Sequence, residues 1–293
     1  NENTETKEGK DKLVETYAAC KQSMADGGIG LSYFCRKGGQ LKTTLAGTYF
    51  KEHAYVDYYD DNMNHYIPYL DMNRNFSNLI ADISHNRKFS TRFTGKTGIN
   101  YTRMFYNMDM TMSSHIGEAL LPVYDGDGST GLLTAYSSNA FNINNHVTLN
   151  LGLNGQLLTP NDSWTLEPRA GIRWQPTTRS TFAAAYGLHS RMEKIDVYFV
   201  KVDNQFVNKD LDFTKAHHFM LSYALKISDN VNLKIEPYYQ YLYDVPVEAD
   251  GSYSVLNRSD FFVDKALVNK GKGRNYGVDI TLERYLNRGW YYM

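Results

Sequence analysis

The feature that most constrains this 293-residue sequence is a regular alternation of apolar and polar side chains. In residues 231–245 every second side chain is apolar or aromatic, and most of those between them are polar. Residues 147–157, 164–174 and 276–283 repeat the pattern. Because a β-strand sends successive side chains to opposite faces, a period of two predicts strands with one apolar and one polar face.

The composition agrees with a β-rich fold and narrows the class of partner. The chain has 24 Tyr and 14 Phe, which favour strands, and only 7 Pro. Its 31 Lys and Arg residues balance 32 Asp and Glu residues, so no basic field indicates a nucleic-acid partner. The sequence has no apolar run long enough for a membrane-spanning helix, but strands that alternate can still cross a membrane as a barrel.

Strand length and strand charge separate a membrane barrel from a soluble β-sandwich, whose strands also alternate. The segments 231–245 and 89–112 are well beyond the usual ~5 to 6 residues of a strand. The polar row of residues 164–174 carries Glu167, Arg169 and Arg173. Both features favour strands that tilt across a bilayer and project above it.

The connections between these segments alternate in length. Short turns are predicted at 36–40, 84–88, 142–146, 175–179, 228–230 and 285–289. Long connections are predicted at 57–75, 113–133, 190–214 and 246–270, and 159–163 is a brief one. Tight turns at one rim and extended loops at the other are typical of outer-membrane barrels. We therefore predict an all-β fold, an antiparallel up-and-down transmembrane β-barrel of about twelve strands, present as an incomplete barrel in residues 28–293.

Residues 1–27 differ from the rest of the chain. They are polar, and "DKLVETYAACKQSMADGG" predicts a short rim or loop helix that ends at Gly27 as a C-terminal cap. Cys20 and Cys35 are too few for a disulfide scaffold. A bond between these two cysteines and two unpaired cysteines both remain open.

Three stretches resemble a known family. They are "WTLEPRAGIRWQPTTRSTFAAAYGLHSR" (164–191), "NKDLDFTKAHHFMLSYALKISDNVNLKIEPYYQYLYDVPV" (208–247) and "LVNKGKGRNYGVDITLER" (267–284). In this order they resemble the C-terminal half of the barrel of TonB-dependent outer-membrane receptors, of the kind abundant in Bacteroidetes. The resemblance implies a barrel of about 22 strands around a globular plug, which imports a scarce ligand by coupling to an energy-transducing periplasmic partner.

The sequence departs from that family in its extent. It has no plug domain, it has too few strands, and it ends at Met293 rather than at the terminal aromatic residue of a complete barrel. We therefore expect a piece of a longer receptor of the cell outer membrane, for a ligand of the siderophore, glycan or corrinoid class. The alternatives are a soluble surface binding module, such as a β-sandwich lectin or adhesin, and a passive porin.

The resemblance also implies the partners. They are membrane lipid or lipopolysaccharide, the receptor's own plug domain and the TonB complex (both through segments outside this sequence), a surface lipoprotein, and a small-molecule or glycan ligand. We expect no cofactor. We also expect no enzymatic activity, because no G-x-S-x-G motif or His–Ser–acid spacing stands out.

Candidate site residues follow from the predicted faces and loops. The charged residues of the polar rows are expected to face the lumen or the plug: Glu167, Arg169, Arg173, Lys234, Glu236, Asp279 and Glu283. Crowded loop tyrosines are expected to stack on a ring-shaped ligand: Tyr55, Tyr58, Tyr59, Tyr66 and Tyr69. Of the adjacent pair His217 and His218, alternation sends only His218 to the lumen.

One cluster has the composition of a soft-metal site. Met108, Met110 and Met112 share a predicted strand face near His115, and thioethers suit Cu(I). The same methionines also serve as flexible apolar side chains that fill a barrel wall. We favour packing over metal binding, and predict no metal.

Overall fold

The computed structural model describes the backbone of residues 2–7, 10–36, 38–60, 64–257, 262–287 and 289–292, and the side chains in these ranges from residue 16 onward except residues 60 and 287. The strands are β1 (Glu2–Lys7), β2 (Lys10–Cys35), β3 (Gly39–Asp60), β4 (His65–Lys88), β5 (Phe93–Met112), β6 (Leu121–Asn142), β7 (Val147–Leu158), β8 (Ser163–Trp174), β9 (Ser180–Arg191), β10 (Lys201–Val202), β11 (Gln205–Phe206), β12 (Thr214–Ser228), β13 (Val231–Glu248), β14 (Leu267–Asn287) and β15 (Trp290–Tyr292). The helical turns are α1 (Ile195–Tyr198) and a 3₁₀ turn (Val255–Asn257). No helix in this part of the chain is long and apolar enough to cross a membrane.

The strands form one antiparallel meander. Each strand from β1 to β9 pairs with the next, and β12, β13, β14 and β15 continue the same 13-stranded sheet. The β10–β11 hairpin lies in the connection between β9 and β12. The up-and-down antiparallel order confirms the predicted fold class, and thirteen strands, counting the short β1 and β15, agree with the expected number of about twelve.

The two faces of this sheet differ in polarity, as the alternation predicts. We call the face with Leu233 and Ile235 of β13 the outer face, and the face with Lys234 and Glu236 the inner face. The outer face is apolar and uncovered over the described residues: Leu31 is 70%, Trp164 68% and Ile280 68% exposed. A β-sandwich would bury such a face against a second sheet. The described residues provide no second layer, so the sandwich alternative is not supported.

The apolar band of the outer face has defined limits. On β3 it runs from Leu41 to Tyr49 and is followed by Lys51, and on β4 it runs from Ile83 to Leu79. Near the short turns, outer-face aromatic rings stack in two rows, with centroid distances from 4.7 to 5.5 Å: Phe89, Phe93 and Phe141, and Trp174, Phe182 and Tyr223. Aromatic girdles at the edges of an apolar band are typical of membrane barrels.

At one end of the sheet, which we call the lower end, the strands are joined by short connections throughout the described part of the chain. These connections follow β2, β4, β6, β8, β12 and β14 and are two to five residues long. The β4–β5 turn lies just after the predicted 84–88. Ser90 Oγ accepts hydrogen bonds from the backbone N–H groups of Arg92 and Phe93 at 3.2 and 3.1 Å, and the Phe89 and Phe93 rings stack 4.8 Å apart. These contacts place the turn after Lys88.

The upper end carries the long connections, but those after β3 and β7 have only four residues. Two of the connections predicted to be long are shorter than expected. The interval 57–75 is mostly strand, because β3 continues to Asp60 and β4 begins at His65. The interval 113–133 is a loop only over 113–120. Tyrosine-rich and Thr-containing segments favour strands, and the strand residues of both intervals pair with a neighbouring strand. The connections 192–213 and 249–266 are long, as expected.

The predicted helix before Gly27 is wrong. β2 covers this region and pairs with β3 from Thr16 to Cys35, and it runs through residue 28 without interruption. Non-local pairing with β3 therefore prevails over a local helical pattern that is short by helix standards. Both cysteines are free and lie on this one strand, fifteen residues and roughly 50 Å apart in extended chain, so they do not form a disulfide.

Two glycines of the inner face are required by tyrosines that cover them. Gly98 pairs in register with Tyr136, and Gly277 pairs with Tyr238. A Cβ atom on either glycine would lie 2.6 to 2.7 Å from the hydroxyl of the facing tyrosine. The tyrosine rings therefore lie flat against the strand, a known way of covering glycine in a sheet.

Candidate functional site

The inner face carries a depression of about 1350 Å³ that is lined by both polar and apolar side chains. Because its lining extends from Tyr136 on β6 to Asp279 on β14, the sheet is curved and the inner face is concave. Of the predicted charged residues, Arg169, Glu236 and Asp279 line this depression. Glu236 faces Asp279 in the register.

The other predicted charged residues lie on the same face but outside the lining of the depression. Lys234 Nζ binds Glu236 Oε2 at 2.6 Å. By strand register Glu283 faces Asn232, and Arg173 faces Thr148, both nearer the lower end than the depression. Their contact with a plug or a permeating ligand remains a prediction.

Glu167 has a structural position that alternation alone does not indicate. Only 1% of this residue is exposed. Its carboxylate accepts hydrogen bonds from Asn154 at 3.0 Å, from Gln156 at 2.5 Å and from the backbone N–H of Ser190 at 3.1 Å, and it binds Arg169 at 2.7 Å. Glu167 thus joins β7, β8 and β9 and holds Arg169 at the wall of the depression.

Two histidines meet on the inner face. The rings of His189 and His218 lie 4.5 Å apart, and Gln240 Nε2 is 3.5 Å from His218 Nδ1. His217 lies on the outer face, where its Nδ1 is 3.0 Å from the Tyr186 hydroxyl. The predicted separation of His217 from His218 is therefore observed. His189 was missed, although its alternation with Gly187 and Arg191 places it on the same row.

The connection between β9 and β12 folds onto the upper part of the inner face. We call residues 192–213 the inner segment. Phe199 packs on Tyr106 of β5 with ring centroids 4.8 Å apart, and Val200 forms a β-bridge with Tyr124 of β6. The segment also buries Phe213 completely. The upper inner face is therefore a packed interior, whereas the lower inner face is open.

Ion pairs fasten the inner segment to the sheet. Arg74 of β4 binds the carboxylate of Glu52 on β3, and its Nη1 lies 3.2 Å from Asp196 Oδ2 in α1. Both acidic residues are buried. At the rim, Lys201 Nζ binds Asp125 at 3.1 Å. Arg74 thus links two neighbouring strands to a segment far away in sequence.

The surroundings of this cluster shift two pKa values. Burial alone would raise the pKa of Glu52, but hydrogen bonds from Gln22 (2.7 Å) and from Arg74 outweigh it and hold the pKa below its ordinary value. Glu52 lies above the apolar band, which on β3 ends at Tyr49. In α1, burial raises the pKa of Tyr198 to about 12. Glu52 therefore remains ionised as the partner of Arg74.

The methionines share a face, as alternation predicts, and are packed by aromatic rings. Met108 and Met110 are fully buried in a cluster with Tyr106 and Tyr124, and Met112 packs against this cluster. His115 is 82% exposed on the side chain and pairs with Glu118 at 3.5 Å. Among the described residues no group of three or more His, Cys, Asp or Glu side chains could hold a metal ion.

The five predicted ligand-binding tyrosines lie on the paired strands β3 and β4 rather than on a long loop, and they divide between the two faces. Tyr55, Tyr59 and Tyr66 are on the outer side, joined by Tyr17, which was missed: Tyr17 is 5.8 Å from Tyr55 and 6.0 Å from Tyr66 by ring centroids, and Tyr59 is 5.2 Å from Tyr66. Tyr58 and Tyr69 form an edge-to-face pair at 5.0 Å. Ligand contact by any of them remains a prediction.

Comparison with known proteins identifies the fold. No protein-family model matches the sequence, and no curated protein matches it. Among solved structures, the RagAB peptide importer aligns with 94% of this chain and 35% of its own at 13% identity and a TM-score of 0.61. The pyoverdine receptor FpvA of Pseudomonas aeruginosa aligns with 94% of this chain and 44% of its own at 13% identity and a TM-score of 0.66. The siderophore receptor PiuA of Acinetobacter baumannii aligns with 93% and 46% at 14% identity and a TM-score of 0.67.

These matches define the architecture. The neighbours are TonB-dependent receptors, and the chain has the β-barrel fold that they share. It spans between about a third and a half of the length of the structures that it matches. At 13 to 14% identity the likeness concerns the fold.

Proposed function

We propose that this chain forms part of the barrel of a TonB-dependent receptor in the outer membrane of a Gram-negative bacterium, and that the receptor takes up a scarce ligand. The proposed ligand is a siderophore, a glycan or a corrinoid. The neighbours are transport receptors rather than enzymes, which supports a role in transport. The proposed partners are the receptor's plug domain, the TonB complex, outer-membrane lipid, a surface lipoprotein and the ligand itself.

One observation carries the proposal: a single curved sheet exposes an apolar face on its convex side and a polar face on its concave side. Water does not favour an uncovered apolar surface of this size, and a bilayer does. The polar concave face suits a wet or plug-filled lumen. Neither face needs a further layer of this chain.

The inner face also supports recognition of a polar ligand. Arg169, His189, His218 and Gln240 line the depression together with Glu236. Such a mixture of donors and acceptors fits a ligand with several hydrogen-bonding groups rather than an apolar one. RagAB is a peptide importer and FpvA binds pyoverdine, and both ligands are rich in hydrogen-bonding groups, which fits this chemistry.

Uptake by the full-length protein tests the proposal. A deletion strain is grown on iron chelates, glycans and corrinoids as limiting nutrients, with the wild-type gene and the double variant Arg169→Glu/Arg173→Glu returned on a plasmid. We expect the wild-type gene to restore growth on one class, and the variant to restore it poorly because reversed charges repel the lumen's partner surfaces. The matched control is Lys51→Glu on the outer face, which we expect to restore growth fully.

Two results would count against the proposal. Normal uptake by the double variant, at a normal level of protein in the outer membrane, would show that the inner face is wrongly assigned. Purification of the wild-type protein as a monodisperse soluble species without detergent would exclude the membrane location.

A further inference from the structure

Two histidine side chains meet at the wall of the inner depression, on neighbouring strands. In the register of β9 and β12, His218 lies opposite Gly187, and His189 lies two residues further along β9 on the same face. The two imidazole rings are 4.5 Å apart between centroids and are inclined to each other by 49°. Both side chains are partly exposed and line the depression. The wall therefore presents two imidazoles to the same open space.

The absence of a side chain at Gly187 lets the ring of His189 turn toward His218. A Cβ atom on Gly187 would lie 2.7 Å from Nε2 of His189 and 3.3 Å from Cδ2 of the same ring. Nε2 of His189 thus occupies the space above the residue that faces His218 across the two strands. An alanine at this position would push the imidazole away, so Gly187 has a specific part in bringing the two rings together.

One nitrogen of each ring is free to bind a group from outside the protein. Gln240 Nε2 is 3.5 Å from Nδ1 of His218, and within the described part of the chain neither Nε2 of His218 nor Nε2 of His189 has a hydrogen-bond partner. The guanidinium of Arg169, whose side chain also borders Gly187, is compensated by Glu167 at 2.7 Å. Each imidazole can therefore offer its Nε2 lone pair to a cation.

The separation of the rings fits two ligands of one metal ion. Imidazole nitrogens bind transition metals at ~2.0 to 2.1 Å, which places each ring centroid about 3.2 Å from the ion. Two such ligands at a right angle have centroids about 4.5 Å apart, and two at the tetrahedral angle have centroids about 5.1 Å apart. The observed 4.5 Å agrees with the right angle. Right angles between nitrogen and oxygen ligands are typical of Cu²⁺ and Ni²⁺, whereas Zn²⁺ favours the tetrahedral angle.

We propose that Nε2 of His189 and Nε2 of His218 bind one divalent transition-metal ion of the Cu²⁺ or Ni²⁺ class. Water, or donor atoms of a solute in the depression, fills the remaining coordination positions. With the ion at Nε2, His218 carries its proton on Nδ1, and Gln240 accepts that proton in a hydrogen bond by turning its side-chain amide. Two side chains cannot enclose an ion, so the bound metal is exchangeable. The inference depends on the polar inner face but not on the uptake of any ligand.

The test measures metal binding by the full-length protein, purified in detergent micelles without a polyhistidine tag. Wild type, His189→Gln, His218→Gln and Gly187→Ala are titrated with Cu²⁺ and with Ni²⁺ by calorimetry. Because loss of an outer-shell partner alone costs ~10- to 100-fold in metal affinity, we expect loss of either histidine to weaken binding by ~10-fold or more. Gly187→Ala keeps both histidines but displaces one ring, and it should also weaken binding. The electron paramagnetic resonance spectrum of wild type with one equivalent of Cu²⁺ should show coupling to two imidazole nitrogens.

The matched control is His217→Gln, which removes the neighbouring imidazole from the outer face of the same strand. We expect its metal affinity and its copper spectrum to equal those of wild type. Unchanged affinity in the double variant His189→Gln/His218→Gln would overturn the proposal, and so would a wild-type copper spectrum without nitrogen coupling. Weakening in the control equal to that in the site variants would also overturn it, since the loss would then not depend on the inner face.

Discussion

The upper and lower halves of the sheet are stabilised differently. In the upper half, the inner face is covered by the inner segment, and buried side chains such as Met110, Tyr124 and Phe213 form a packed interior. In the lower half, from the apolar band down to the short turns, outer-face residues such as Leu45 and Trp174 are exposed. The chain therefore provides its own core at one end and depends on its surroundings at the other.

This difference explains how one sheet can lie partly in water and partly in lipid. Above the apolar band, β-strands behave like those of a water-soluble domain, because a chain segment covers one of their faces. Within the band, neighbouring strands pair through backbone hydrogen bonds, but burial of the outer face requires lipid. Mutations should therefore act through packing in the upper half and through membrane contact in the lower half.

The largest effect is expected at Arg74. Arg74→Ala removes the shared partner of Glu52 and Asp196 and leaves two buried carboxylates without their cation, a loss of about 3 to 5 kcal/mol. Hydrogen–deuterium exchange of the full-length protein in micelles should show rapid exchange in residues 192–213 and little change at the lower end. Arg92→Ala, at an exposed lower turn, is the control, with an expected effect within about 0.5 kcal/mol.

A smaller effect should distinguish the two faces within the band. Leu151→Arg places a charge on the outer face of β7 and should lower the free energy of unfolding into water by about 2 to 4 kcal/mol. Asn150→Arg, one residue earlier and on the inner face, should change it much less. The measurement is urea unfolding of the protein folded in lipid vesicles. Equal losses of unfolding free energy for the two variants would mean that the outer and inner faces are in the same environment.

Aromatic stacking at the lower girdle should contribute less. Trp174 stacks on Phe182 at 5.5 Å and is 49% exposed, and Trp164 at the upper end of the same strand is 68% exposed. Trp174→Ala should lower stability by about 1 kcal/mol more than Trp164→Ala, since it also removes a ring pair. Comparison of the two unfolding midpoints checks this, and a larger loss at Trp164 would contradict it.

Protonation of Glu52 is expected to have the smallest effect on stability, because it occurs only at acidic pH. The folded-state pKa of Glu52 is below its unfolded value, so its contribution is present above about pH 4.3 and is lost as the pH falls through the folded-state pKa. Proteolysis of the inner segment should therefore not change from about pH 8 to pH 6 and should accelerate only in acid, below the unfolded-state pKa of about 4.3. Glu52→Gln should lack this acid-specific step, and an identical acid profile in the variant would refute the assignment.

The sequence predicted those elements whose signal is local. Alternation specified the two faces of β7, β8, β13 and β14, and short polar turns specified the lower end. The helix before Gly27 failed because β2 is stabilised by its pairing with β3, and no local pattern reports a distant partner. The interval 57–75 was predicted to be a loop for the same reason.

The candidate site was predicted in part. Alternation placed Arg169, Glu236 and Asp279 on one face, but it gave no sign that Glu167 would be buried among donors from β7 and β9. The meeting of Arg74 with Asp196 joins residues 122 positions apart. Such contacts depend on how a connecting segment folds back, which composition and periodicity do not encode.

The inner segment has a consequence for ligand entry. It is tied at both ends to neighbouring strands, so it is present at the upper inner face at an effective concentration on the order of millimolar. Any solute that needs the same surface competes against this tethered stretch of chain. In the proposed receptor, a ligand whose intrinsic affinity is too weak to displace the inner segment would not reach the depression on the lower inner face.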